Sequence, residues 1–101
     1  MSINDLIKEE VHRQIDTAIE GIPVDRITFG SPMRRLRYQY ANLIDFLLGY
    51  EFGYIISASM RYYKNQVNGR VVTEEEDMQI RTDIETIIHD RLPEIRQAMS
   101  R

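Results

Sequence analysis

Between Leu43 and Met60 apolar side chains occupy nearly every position around a helix, and this stretch constrains the fold more than any other part of the chain. Met33, Leu36, Tyr40, Leu43, Leu47, Tyr50 and Tyr54 recur at steps of three and four, the repeat of a helix seam. Leu48, Phe52, Ile55 and Ile56 then add apolar residues on the other faces, and a helix that is apolar all round must be surrounded. Lipid is a poor surrounding here. Asp45 and Glu51 lie within the run and arginines flank it, and a central carboxylate costs about 2.5 kcal/mol or more to insert. The expectation is the central helix of a soluble bundle, with no membrane partner.

Two further helices are predicted. Ile3, Ile7, Val11, Ile15 and Ile19 repeat every four residues, broadened by Leu6, Ala18 and Ile22, which is one face of an amphipathic helix. Ser2 or Asn4 caps its start, and Gly21, Ile22 and Pro23 read as its stop. Residues 24–30 then read as a loop. Ser31 before Pro32 opens the second helix, expected to run to about residue 66 with a bend at Gly49 or Gly53. Residues 67–72 read as a helix cap and linker in preference to an Asn-Gly turn between short strands. Thr73 with Glu76 forms a capping box for the third, whose buried side is Ile80, Ile84, Ile87, Ile88, Leu92, Ile95 and Met99. Pro93 either kinks that helix or begins a short fourth one. The predicted fold is all-α: one helical domain over residues 1–101, with three main helices at about 3–20, 32–66 and 74–99.

Two companion helices cannot cover an all-round apolar helix, so a homodimer is expected to complete the bundle. Each mid-helix glycine forfeits about 1 kcal/mol relative to alanine. Gly49, Gly53 and Ser57, spaced by four, keep one side of the central helix free of bulk so that another backbone can approach. The expected interface comprises Leu43, Leu47, Gly49, Tyr50, Gly53, Tyr54 and Ser57. Packing of the same small face on the first helix of the same chain is the competing reading.

Arg34, Arg35 and Arg37 fall near the start of the predicted second helix, where the helix dipole disfavours cations by roughly 0.3 to 1 kcal/mol each. Residues 31–72 carry six basic and two acidic side chains, and residues 73–101 carry four basic and eight acidic. The plainest expectation is therefore that the arginines pair with Glu74, Glu75, Glu76 and Asp77, in the same chain or its mate. An acidic protein partner comes next. A phosphate or nucleic-acid partner, with Tyr38 and Tyr40 stacking on a base, comes third, because thirteen basic against sixteen acidic residues leave a net charge of −3.

Catalytic chemistry finds little to stand on. The chain has no cysteine, so thiolate zinc, iron–sulfur and Cys-nucleophile chemistry are excluded. Glu9 and His12 have the spacing of a di-iron ligand pair, but the motif does not recur, and Glu85 and His89 stand four apart. Asp45 and Glu51 need not meet within one helix, and either one, if buried, would have a raised pKa or a cationic partner. No phosphate-binding glycine loop, nucleophile elbow or dinucleotide fingerprint is present. The connector between Pro23 and Pro32 is too long for a helix-turn-helix DNA reader. An acidic N-terminal segment without an apolar core is not a signal peptide, and a cytoplasmic location is expected.

The sequence therefore points to a non-enzymatic helical interaction protein, an adaptor or regulator that acts through a dimeric surface on an unidentified protein partner. It needs no cofactor, no metal and no catalytic residue. An anion- or nucleic-acid-binding regulator using Arg34, Arg35, Arg37 and Tyr38 is the second reading, and a carboxylate enzyme the third.

Overall fold

A computed structural model describes residues 3–67 and 72–100, and these are all-α, with no strand among the described residues. Five helices follow one another: α1 (Ile3–Phe29), α2 (Pro32–Tyr38), α3 (Leu43–Gln66), α4 (Glu74–Asp90) and α5 (Leu92–Ser100). The long helices α1 and α3 pack along each other, and α4 and α5 close over both. Between them Val11, Ile15, Ile22, Leu47, Ile55 and Ile84 are fully buried. The Ser2 cap and the turn over residues 68–71 lie outside the described residues.

α1 does not stop at Pro23, and residues 24–29 are helix where a loop was expected. A proline inside a helix forfeits a hydrogen bond and crowds the preceding turn, at about 3 kcal/mol. Tertiary packing on both sides of it offsets that cost. Ile22 is wholly buried, and Phe29 meets the rings of Phe46 at 5.2 Å, Tyr50 at 4.9 Å and Tyr38 at 5.6 Å. Gly21 is accordingly not a cap. The glycine that ends α1 is Gly30, whose amide donates to the Arg26 carbonyl at 2.9 Å. A β-carbon at Gly30 would lie 2.5 Å from that carbonyl oxygen.

The expected second helix is likewise two. Gln39 takes a left-handed conformation at φ 54°, and Asn42 then caps α3 by accepting from the Asp45 amide at 3.1 Å. Apolar spacing carries on through the break, which is why periodicity joined the pieces. α3 itself runs without interruption through Gly49 and Gly53.

Thr73 caps α4 as expected, its hydroxyl oxygen accepting from the Glu76 amide at 3.1 Å. The chain breaks helix at Arg91, two residues before Pro93. The Arg91 carbonyl instead accepts from Glu94 at 3.1 Å and Ile95 at 3.3 Å, which starts α5. Arg91 also ties α5 to α1: its guanidinium donates to Asp16 at 2.6 Å, to Glu94 at 2.8 Å and to the His12 carbonyl at 3.3 Å. Those carboxylates raise the Arg91 pKa further, hydrogen bonding to Glu94 first.

Candidate interaction surfaces

α3 is not surrounded within one chain. Leu47, Glu51, Ile55, Ser59 and Tyr63 turn into the core, whereas Gly49, Tyr50, Gly53, Tyr54 and Ser57 are exposed. A β-carbon at Gly49 or Gly53 would meet nothing within 4 Å. The small-residue face therefore does not pack on α1, and no close approach inside the chain accounts for the two glycines. Leu47 is 0% exposed and belongs to the chain's own core, so it is not part of this open face. Leu43 is half-buried at its edge. Beside Gly53 and Ser57 a groove of about 620 Å³ runs between α3 and α4, with Arg61, Lys64 and Arg81 along it.

The arginine cluster sits on α2. Because α2 has only seven residues, Arg35 and Arg37 fall in its last turn, where the dipole favours cations, and the electrostatic anomaly expected of a long helix largely disappears. Among the described residues Arg34, Arg35 and Arg37 make no ion pair. Arg35 donates to the Ala41 carbonyl at 3.1 Å, and α2 reaches neither α4 nor α5. Pairing with Glu74, Glu75, Glu76 and Asp77 of the same chain is thus not what the fold provides. Next to the arginines along α2, Met33 and Leu36 stand 79% and 80% exposed, and on α1 Val24 and Ile27 stand 65% and 79% exposed.

The two tyrosines expected to stack on a base are used in the fold. Tyr40 stacks on Phe46 at 4.5 Å and donates its hydroxyl proton to the Phe29 carbonyl. Tyr38 lies against Phe46 and Phe29, each at 5.6 Å, while keeping part of its ring in solvent.

Glu51 is the functional group whose surroundings sequence reasoning described only conditionally. It is 2% exposed, and its Oε1 has no hydrogen-bond partner among the described residues. Burial first, and then the hydrogen bond and charge of Asp25 on α1, push its pKa up to about 8. Among the described residues no cation compensates it. Asp45, by contrast, is exposed. Glu10 shows the opposite solution for a buried carboxylate: Arg13 donates to it at 2.9 Å and Gln14 at 2.8 Å, and the Arg13 bond lowers its pKa.

Among the described residues, groups suited to other kinds of chemistry stand apart. His12 is exposed and faces the Arg91 guanidinium at 3.3 Å, a cationic neighbour unsuited to a metal ligand. Glu9, Glu85 and His89 are exposed as well. Among the described residues no three of His, Asp and Glu converge as metal ligands. The cleft between α1 and α4, about 480 Å³, brings Lys8, His12, Asp83 and Asp90 to one rim over Ile7, Ile84 and Ile87. It does not include Glu51, whose carboxyl is held largely protonated at neutral pH. No protein-family model matches the chain, and no curated protein and no solved structure matches it.

Proposed function

We propose that the protein is a non-enzymatic helical interaction module, a cytoplasmic adaptor or regulator that forms a homodimer and uses the assembled surface to hold a protein partner. The observation that carries this reading is the open side of α3. Two glycines that weaken the helix by about 1 kcal/mol each sit where the chain itself leaves empty space. Tyr50 and Tyr54 beside them are 43% and 46% exposed. Small residues flanked by exposed aromatic rings suit a close helix-to-helix contact whose apolar area would otherwise face water. The outline of the chain supports the same reading. Its radius of gyration is 15.3 Å and its extents are 46 × 25 × 17 Å, against about 13 Å for a self-contained globule of this length.

Light scattering across micromolar concentrations tests it directly, with a mass of two chains expected. Gly53→Leu places four carbons where the backbones should meet. It should weaken association by a factor of roughly ten to a hundred, in line with overpacking costs of about 1 to 3 kcal/mol. A wild-type mass of one chain throughout would remove the dimer.

A second reading, an anion- or nucleic-acid-binding regulator, draws on Arg34, Arg35 and Arg37, which make no ion pair among the described residues. A gel shift whose strength falls steeply with salt would favour it. Exposed Met33 and Leu36 beside the arginines favour a partner that offers apolar surface as well as negative charge.

A further inference from the structure

An orientation for the two copies presupposes the homodimer proposed above, and the charge layout around α3 supplies it. Before α3, between Asp25 and Asp45, stand Arg26, Arg34, Arg35 and Arg37 and no carboxylate. At its other end stand Arg61 and Lys64, and beyond it come Arg70 and then Glu74, Glu75, Glu76 and Asp77. The 24 residues of α3 separate these regions by about 36 Å at 1.5 Å per residue. Among the described residues, Glu74, Glu75 and Asp77 make no ion pair, and neither do the arginines of α2.

Both charged regions border the same side of α3. Tyr38 of α2 packs on Phe46 at 5.6 Å, and Phe46 precedes Gly53 by two helical turns on the same face. At the far end Arg81 of α4 shares a groove with Gly53 and Ser57. Glu74 and Asp77 precede Arg81 by seven and four residues, and so share its side of α4. The open face thus runs from a basic end to a mixed one, where Glu74 and Asp77 stand with Arg61, Lys64 and Arg81.

Two copies meeting through that face have two choices. Parallel helices would set the arginines of the two α2 helices against one another, which like-charge repulsion opposes. An antiparallel pair about a two-fold axis near Gly53 sets Gly49 opposite Ser57, Arg61 level with Asp45, and each α2 beside the first turn of the other α4. Exposed apolar side chains accompany both charged regions, Met33 and Leu36 at one and Met78, 68% exposed, at the other. We propose that the protein is an antiparallel, two-fold dimer in which Arg34, Arg35 and Arg37 of one protomer face Glu74, Glu75 and Asp77 of its partner. The arrangement is isologous, so every contact is made twice.

The chain has no cysteine, so orientation can be read by introduced thiols. Gly49→Cys and Ser57→Cys are both at exposed positions, and the first adds a β-carbon that meets nothing inside the chain. When the two variants are refolded together and oxidised, the expected product is the mixed disulfide, with each variant alone cross-linking poorly. Like-with-like cross-links instead, in a protein whose wild type is dimeric, overturn the orientation and leave the dimer standing. A monomeric wild type removes the dimer itself.

Charge reversal gives a second reading of the same geometry. Arg34→Glu, Arg35→Glu and Arg37→Glu together should raise the dimer Kd by about tenfold or more. Adding Glu74→Arg, Glu75→Arg and Asp77→Arg to that chain should restore association, since unlike charges face one another again. A dimer indifferent to the first reversal, or not recovered by the second, overturns the charge pairing.

Discussion

Glutamate is ordinarily ionised at neutral pH, but at Glu51 burial and the neighbouring Asp25 push the pKa up to about 8. The folded state therefore holds a proton that the unfolded chain releases near pH 4.5. Stability from this group is fully present below the unfolded pKa and is lost as pH rises through the folded one. Tm should accordingly fall between about pH 5.5 and pH 8.5, with a contribution of a few kcal/mol at most. Glu51→Gln, which keeps the shape and a donor toward Asp25, should flatten that slope and be the more stable protein at about pH 8. Thermal unfolding followed by circular dichroism checks this, and a variant retaining the wild-type slope would assign the pH dependence to another group. Part of this was legible in the chain. Leu47, Glu51, Ile55, Ser59 and Tyr63 lie four apart, so Glu51 shares its line with buried positions. Asp25 was not legible as its neighbour, because a helix that continues past Pro23 is needed to bring Asp25 alongside α3.

Helix boundaries show where local signals yield to packing. The Gly21-Ile22-Pro23 stop is sound local chemistry, yet it is overridden by contacts that lie 17 to 21 residues further on, from Phe29 to Phe46 and Tyr50. Such contacts have no signature in a window of neighbouring residues. The Asn42 cap did carry a signature, an Asn three residues before Asp45, but a continuous apolar register concealed it. Pro23→Ala restores a donor to the middle of α1 and should stabilise the protein by about 1 to 3 kcal/mol. Denaturant unfolding measures that change, and a loss of stability would mean that the proline ring itself packs usefully. Arg91 offers the converse test, at a helix boundary that Pro93 did signal. Its guanidinium joins α5 to Asp16 of α1 with 17% of the side chain exposed. Its carboxylate partners are more than half exposed, so Arg91→Met should cost only about 1 kcal/mol and lose much of its effect in high salt.

For the whole molecule, the fold class and the open face of α3 were both present in the apolar pattern, whereas the fate of the arginines was not. The sequence shows opposite charge in two segments but not the roughly 36 Å of helix that keeps them apart within one chain. The same separation makes the glycines informative about association. In an isolated chain Gly53→Ala fills empty space and replaces the poorest non-proline helix former with the best, so it should raise helix stability by about 1 kcal/mol. In a dimer closed through that face the added methyl pushes two backbones apart. The two effects have opposite signs and separate with concentration, because only the dimer's Tm rises as protein is added. The expected outcome for Gly53→Ala is a higher Tm than wild type in dilute solution, a lower one at high concentration, and a crossing between them. Curves that stay parallel, with the variant more stable throughout, would place Gly53 outside the interface and leave its presence in mid-helix without a cause in association.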